Sequence, residues 1–218
     1  TKAGDTLTLS GVISGSYGIT KSGAGTVVLS NANTYTGATT ISAGTLSVTG
    51  SLSNSTAVSV ASGATYSVGN SDTIASLTDA GYVTLGSNTL TLANASGTYS
   101  GVMSGTGGLT VSGGTATLSG ANTYTGATSI GSGATLALST GGSIADSSAV
   151  TATGTFDISG TTSGASIKRL AGAGSVTLGA KTLTLTAAND TFSGVISGTN
   201  GNLTVSGGTA TLSGVNTY

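Results

Sequence analysis

Apolar residues alternate with small residues, most of them polar, along much of this chain. Leu136 and Leu138 flank an alanine, and Phe156 and Ile158 flank an aspartate, with threonines and serines around both pairs. Alternation with a period of two is typical of a β-strand that buries one face, and no stretch shows the 3.6-residue period of a helix. The pattern therefore predicts an all-β chain of short strands.

These strands recur at nearly constant intervals. In the second half of the chain, strand starts at Thr115, Thr135, Thr155 and Ser175 follow one another at intervals of 20 residues. In the first half, apolar anchors are spaced 19, 20 and 17 residues apart, at Leu29, Val48, Val68 and Leu85. A second apolar row precedes the first by seven or eight residues, at Val111, Ile130, Val150, Leu170 and Val205. Each unit of about 20 residues is therefore predicted to contain two short strands, a glycine-containing corner and a longer connection.

Such short units cannot each bury an apolar face alone, but stacked units share one continuous core. Glycines suit the predicted corners because they adopt tight bends that other residues resist, at Gly113, Gly114, Gly133, Gly154 and Gly174. We therefore predict a parallel β-helix, or β-solenoid, of about ten to twelve coils. At a strand spacing of ~4.8 Å it would be roughly 50 Å long.

A longer repeat is superimposed on the coils. The triplet Asn-Thr-Tyr begins at Asn33, Asn122 and Asn216, at spacings of 122 − 33 = 89 and 216 − 122 = 94 residues. We expect one continuous solenoid over residues 1–218, with superrepeats at approximately 1–92, 93–185 and a partial 186–218. Because neither end carries a polar cap and the chain is not a whole number of repeats, we expect an interior slice of a longer array. Residues 93–99 and 187–192 are expected to be loops that decorate one side of the rod.

Composition removes most kinds of chemistry. The 218 residues include 38 Gly but no Cys, His or Trp, charged residues are 5%, and the net charge is −1. All six acids are Asp, and we expect them to be solvated carboxylates, with Asp157 pointing outward and Asp146 and Asp190 in connections. We therefore predict no catalytic, cofactor-binding or metal-binding residues, no cofactor and no enzyme activity. Five basic residues are too few to bind nucleic acid, and no apolar run reaches the ~18 residues of a membrane span.

Residues 23–48 resemble the passenger-associated transport repeat, also called the autotransporter-associated β-strand repeat. Its pattern of glycines, Asn-x-Tyr-x-Gly-x-Thr-x-Ile and a closing Gly-x-Leu occurs twice in the chain. The matching residues are Gly23, Gly25, Leu29, Asn33, Tyr35, Gly37, Thr39, Ile41, Gly44 and Leu46, then Gly113, Leu118, Gly120, Asn122, Tyr124, Gly126, Thr128, Ile130, Gly133 and Leu136. The resemblance implies a right-handed β-helical passenger of a Gram-negative autotransporter or another large surface protein. There, the repeats support passenger export and folding and form its stalk.

The favoured hypothesis is a structural stalk or fibre segment, outside the cell or on the bacterial surface, with a role in adhesion or filament formation. The expected partners are further copies of the rod, in fibres or bundles, and a cell-surface or glycan partner that the sequence does not identify. Two alternatives remain open: a polysaccharide-degrading β-helix enzyme that uses Asp carboxylates, and an ice-binding solenoid that uses Thr-x-Thr pairs such as Thr115/Thr117.

Overall fold

Every regular element of the chain is a short β-strand in the computed structural model, which describes all residues from 1 to 218. All strand pairs are parallel, and each strand pairs with strands about one coil before and after it. The predicted all-β parallel solenoid is confirmed, and the ten strands of the largest sheet correspond to ten successive coils. The handedness of the coil stays a prediction.

Each coil passes over three sides of a prism, which we call faces 1, 2 and 3 in the order in which the chain visits them. Face 1 begins with one six-stranded sheet and ends with one three-stranded sheet. Its strands are β1 (Thr6–Leu9), β3 (Thr26–Leu29), β5 (Thr45–Val48), β7 (Thr65–Val68), β10 (Tyr82–Thr84) and β13 (Val102–Ser104), followed by β20 (Ala165–Ile167), β23 (Thr182–Leu185) and β26 (Asn202–Val205).

Face 2 is built from a six-stranded sheet that a bridge from Gly172 to Phe192 extends into a two-stranded sheet. Its strands are β8 (Asp72–Ile74), β11 (Leu90–Leu92), β14 (Leu109–Val111), β16 (Thr128–Ile130), β18 (Val150–Ala152) and β21 (Leu170–Ala171), then β24 (Thr191–Phe192) and β27 (Thr211–Leu212). Below β8, the same side is formed by segments without strand geometry.

Face 3 is one continuous ten-stranded sheet. Its strands are β2 (Ile19–Lys21), β4 (Thr39–Ile41), β6 (Ala57–Val60), β9 (Ser76–Asp79), β12 (Thr98–Tyr99), β15 (Thr115–Leu118), β17 (Thr135–Thr140), β19 (Thr155–Thr161), β22 (Ser175–Thr177) and β25 (Val195–Ser197). The prediction of two strands per coil was therefore right for the five coils that end at β2, β4, β6, β17 and β19, and wrong for the other five, which have three strands. The third strand is often only two or three residues long, too short to produce a visible alternation.

The two segments expected to be surface decoration are structural sides of the prism. Residues 93–99 contain β12, and the Tyr99 side chain lies fully in the core, where its hydroxyl donates a hydrogen bond of 2.8 Å to the Gly81 carbonyl. Residues 187–192 contain β24 and bury Phe192 in the same way. The expectation of decoration was therefore wrong, because each segment adds a whole side with an aromatic residue inside the prism.

The core is a single cluster of 43 buried residues that extends from Leu29 to Ile196. Leucine, valine and isoleucine fill most of it, and its largest fully buried side chains are Tyr35, Tyr66, Tyr99, Tyr124, Phe156 and Phe192. The core is therefore mainly aliphatic, with six large aromatic side chains distributed along its length. A core shared by successive coils explains why no coil could be stable alone.

Hydroxyl-bearing side chains cover the outside of the sheets. On face 3, the strand registers align one outward position from each coil into a column, which we call the face 3 column. It consists of Thr20, Thr40, Ser59, Thr78, Thr98, Thr117, Ala137, Asp157, Thr177 and Ser197. The column contains Ala137 and Asp157 as well as hydroxyl-bearing residues. It therefore differs from the uniform row of threonines that would be expected on an ice-binding surface.

Glycine is required at one corner because successive coils approach closely there. A Cβ atom on Gly174 would lie 2.0 Å from the Gly154 carbonyl oxygen, and one on Gly194 would lie 1.9 Å from the Gly174 carbonyl oxygen. Neither glycine has a positive φ, so the requirement is for space and not for an unusual backbone conformation. This corner therefore contains a column of glycines that lets the backbones stack.

Candidate functional site

The Asn-Thr-Tyr triplet marks a place where the chain leaves its strands, and the asparagine side chain adds hydrogen bonds to those that the backbone still makes between coils. The Asn33 side-chain oxygen accepts a hydrogen bond of 3.0 Å from the Ile13 backbone N–H in the coil below. Its amide nitrogen donates to the carbonyls of Asn31, in its own coil, and Ser51, in the coil above, at 2.8 and 3.2 Å. One buried side chain therefore connects three successive coils, and we call this arrangement the asparagine clamp.

The second and third copies repeat the clamp. The Asn122 side-chain oxygen accepts a hydrogen bond of 2.9 Å from the Met103 N–H, and its nitrogen donates to Gly120 and Ser143. Asn216 accepts from Ile196 at 2.9 Å and donates to Gly214. A hydrogen bond within the asparagine's own turn is present in all three copies. The spacing of the triplets in the sequence did not reveal the bonds to neighbouring coils.

The tyrosine of the triplet points into the core and forms a second buried connection. The Tyr35 hydroxyl lies 2.6 Å from Thr39 Oγ1, and the Tyr124 hydroxyl lies 2.7 Å from Thr128 Oγ1. Burial raises the pKa of both tyrosines, so both hydroxyls are neutral in the folded chain. In the next coil, the Thr56 hydroxyl donates to the Tyr35 carbonyl. These contacts explain why the repeat combines Asn, Tyr and Thr at fixed spacing.

Asp72 is buried, so the expectation of solvated carboxylates was wrong at this position. Its carboxylate accepts hydrogen bonds from the Leu52 and Thr73 backbone N–H groups at 3.0 and 2.9 Å, with the Tyr66 hydroxyl at 3.4 Å. Burial raises the pKa of Asp72, and the backbone hydrogen bonds partly offset this. The alternation of Asp72 with the inward Ile74 was the sequence signal that placed its side chain inside.

The second superrepeat lacks this carboxylate. Ala165 stands where the first has Asp72, and Phe156 stands where it has Tyr66. The Ile144 backbone N–H, which corresponds to that of Leu52, donates no hydrogen bond within the chain. A shallow groove lies beside it, lined mainly by small residues that include Thr140, Ser143, Ser163 and Ser166. The two copies therefore share a backbone path but differ in the polar groups that they bury.

The other charged groups are dispersed. The Arg169 guanidinium donates two hydrogen bonds, of 2.7 and 2.8 Å, to the Asp190 carboxylate and holds the pKa of that carboxyl below its usual range. Lys21 is buried, and its ammonium donates to the Gly23 and Ala43 carbonyls; burial lowers its pKa. Asp146 is exposed, as expected. The structure contains no group of three or more acidic side chains arranged to hold a metal ion.

The polar side chains of the repeat make their contacts within the coil stack. The asparagine clamps satisfy backbone groups of neighbouring coils, and the tyrosine hydroxyls bond to threonine hydroxyls inside the core. The structure contains no helix with the length and apolar character needed to span a membrane. The most specific part of the sequence therefore acts on the coil stack itself.

Comparison with known proteins agrees with the resemblance noted from the sequence. Residues 19–48 and 113–138 match the family model described as the passenger-associated-transport-repeat. These two segments contain the clamps of Asn33 and Asn122, together with the strands on either side of each. The resemblance to this repeat is therefore confirmed.

One similar curated protein is the adhesin BmaC autotransporter of Brucella suis biovar 1 (strain 1330). It is 40% identical to this chain over 131 residues, which cover 55% of the chain and 4% of the relative. The chain therefore spans only a small part of that protein's length. No solved structure matches the chain.

Proposed function

This chain carries the passenger-associated transport repeat, and we propose that it serves as a rigid stalk segment of an autotransporter-like surface protein, outside the bacterial cell. The asparagine clamp carries this proposal, because the residues that define the repeat stabilise coil stacking. A solenoid gains stability from each added coil, so its repeats can extend a passenger without new chemistry.

The proposal includes a role in export. A chain without cysteine cannot form a disulfide before it crosses the outer membrane, and coils can stack one after another as they emerge. The proposed work of the segment is mechanical and non-enzymatic. The dispersed carboxylates and the single ion pair support this, because paired acids in one cleft would be needed for glycoside hydrolysis.

A surface-display experiment tests the stalk. The chain is placed between a secretion signal and an autotransporter barrel, and its exposure and protease resistance on intact cells are measured. A shuffled sequence of the same composition is the matched control. We expect the native order to reach the surface as a protease-resistant segment and the shuffled one to be degraded. Equal degradation of both would contradict the proposal.

Lateral self-association is the second part of the proposal. The relative is named an adhesin, and the surface of this chain is almost uncharged, so two rods repel each other little. Sedimentation velocity over a range of concentrations tests this. We expect the apparent mass to rise with concentration, and a constant monomer at every concentration would contradict it. The proposal also includes binding to a cell-surface or glycan ligand.

A further inference from the structure

The length of the superrepeat is not a whole number of coils. Leu29 lies on face 1, and its equivalent in the second superrepeat, Leu118, lies on face 3. From Leu29 the chain passes the side of face 2 and reaches Ile41 on face 3, 12 residues later (41 − 29). Four register steps then lead through Val60, Asp79 and Tyr99 to Leu118, over 77 residues (118 − 41). One superrepeat therefore comprises four complete turns of the solenoid and two further sides of the three that make up a fifth turn.

The next superrepeat advances by the same amount. From Leu118 on face 3 the chain passes the side of face 1 and reaches Ile130 on face 2. Four further coils lead through Ala152, Gly172 and Phe192 to Leu212, which is the equivalent of Leu118. The three equivalent leucines therefore lie on faces 1, 3 and 2. The differing lengths of the two superrepeats, 89 and 94 residues, do not disturb the advance.

The asparagine clamps follow the same rotation. Asn33 lies between strands of faces 1 and 3, on the side of face 2. Asn122 lies above Met103 of β13, on face 1, and Thr217, which follows Asn216, forms a bridge with Ser197 of β25, on face 3. No two clamps in the chain share a side.

We propose that the superrepeat is a three-sided display, in which every surface feature moves to another face with each repeat and returns to the first after three. At ~4.8 Å per coil, one step is about 22 Å along the axis, and three steps are 14 turns, about 67 Å. A rod built in this way has no single functional side. Any surface feature that recurs in each repeat is therefore exposed on all three faces of the rod.

An outward valine shows what the rotation presents. In the sequence Gly-Val-Ile/Met-Ser-Gly, the residue after the valine points inward, and the valine points to solvent. Val12 is 54% exposed on the side of face 2, Val102 is partly exposed on face 1, and Val195 is 41% exposed on face 3. The partner that this arrangement suits is a further copy of the rod, on the basis of the lateral association proposed above. Contacts on three sides give bundles that grow in two lateral directions, and contacts on one side give only pairs.

Distances between two spin labels test the rotation directly. The chain has no cysteine, so pairs of cysteines can be introduced and labelled at chosen positions. Thr34 and Thr123 are exposed and occupy equivalent positions on different sides. Thr110 and Ser129 lie on the same side as Thr34, four and five coils above it. We expect the Thr34–Thr123 distance to exceed both the Thr34–Thr110 and the Thr34–Ser129 distances. If the superrepeat were four or five whole turns, Thr123 would lie on the same side as Thr34, and the Thr34–Thr123 distance would not exceed the Thr34–Ser129 distance. That result would overturn the proposal.

A charge series tests the partner. Val102→Lys should weaken the concentration-dependent association in part, and Val12→Lys, Val102→Lys and Val195→Lys together should abolish it. Thr84→Lys, at a neighbouring outward position on face 1, is the matched control and should leave association nearly unchanged. If Val102→Lys alone abolishes association, the rods associate through one side only, and the three-sided contact is contradicted. If the unmodified chain does not associate, the lateral part of the proposed function fails, and the spin-label distances still decide the display.

Discussion

At the scale of the residue, three asparagines supply additional hydrogen bonds between coils where the regular strands are interrupted. The Asn122 side chain satisfies the Met103 N–H below it and the Ser143 carbonyl above it. An unpaired buried N–H costs more than an ordinary hydrogen bond contributes, because the group has lost its water without gaining a partner. The clamp residues should therefore be among the most sensitive polar positions in the chain.

Asn122→Ala tests this sensitivity. The substitution removes three hydrogen bonds and leaves the Met103 N–H without a partner, so we expect the free energy of unfolding to fall by about 2 kcal/mol. Asn94→Ala is the matched control, since Asn94 is exposed and its side chain forms no hydrogen bond, and it should change stability by less than about 0.5 kcal/mol. Chemical denaturation measures both. Equal effects of the two substitutions would contradict the clamp.

Asp72 predicts a pH dependence with a definite sign. Burial raises its pKa above the ordinary value of 3.8, so over the interval between these values the folded chain holds a proton that the unfolded chain has released. The free energy of unfolding should therefore fall as the pH rises through that interval. Asp72→Asn should remove this component of the fall, and Asp146→Asn, at an exposed acid, should retain it. Denaturation midpoints at a series of pH values measure the effect, and identical profiles for all three chains would refute it.

At the scale of the element, a side of the prism can be a strand of two residues. The alternation of leucines with small residues sufficed to predict the longer strands and the solenoid, because each of those strands shows at least one full period. It could not predict β12, whose two residues show no period, or the face on which each repeat lies. That face depends on how many sides the chain passes within a superrepeat of some 90 residues. An error of one side in this number is enough to assign a repeat to the wrong face.

Tyr99 tests whether residues 93–99 are a structural side. Its side chain is fully buried, so Tyr99→Ala should lower the free energy of unfolding by about 3–5 kcal/mol, as expected for loss of a buried aromatic residue. Tyr82→Ala, at a tyrosine that is 53% exposed, should cost about 0.5 kcal/mol or less. Thermal unfolding of both variants provides the comparison. A small effect of Tyr99→Ala would contradict a structural role for residues 93–99 and would favour a surface loop.

The glycine column predicts an intolerance of even one methyl group. Gly174→Ala places a Cβ atom 2.0 Å from the Gly154 carbonyl oxygen, so the coils must separate locally, and we expect a loss of about 1–3 kcal/mol. Gly11→Ala is the control, because Gly11 has no positive φ and a Cβ atom there would meet nothing within 4 Å. Unchanged stability of the Gly174 variant in denaturant would show that the corner is looser than described.

At the scale of the whole molecule, neighbouring coils are held together by backbone hydrogen bonds between parallel strands, by a shared apolar core and, at three places, by an asparagine clamp. Because each coil contacts mainly its neighbours, stability accumulates along the rod, and no distant contact is needed. This explains how a chain with 5% charged residues and 38 glycines in 218 positions forms an ordered structure. Its outer surface is then free to vary with little effect on the stack.

Distances along the face 3 column test the central claim, that successive coils stack in register into a straight rod. Nitroxide labels at Thr40 and Thr117 lie four coils apart, and those at Thr40 and Ser197 lie eight coils apart. At ~4.8 Å per coil, electron-spin resonance should give about 19 Å for the first pair and about 38 Å for the second. A second distance that is no longer than the first would contradict the stacked rod and every inference drawn from it.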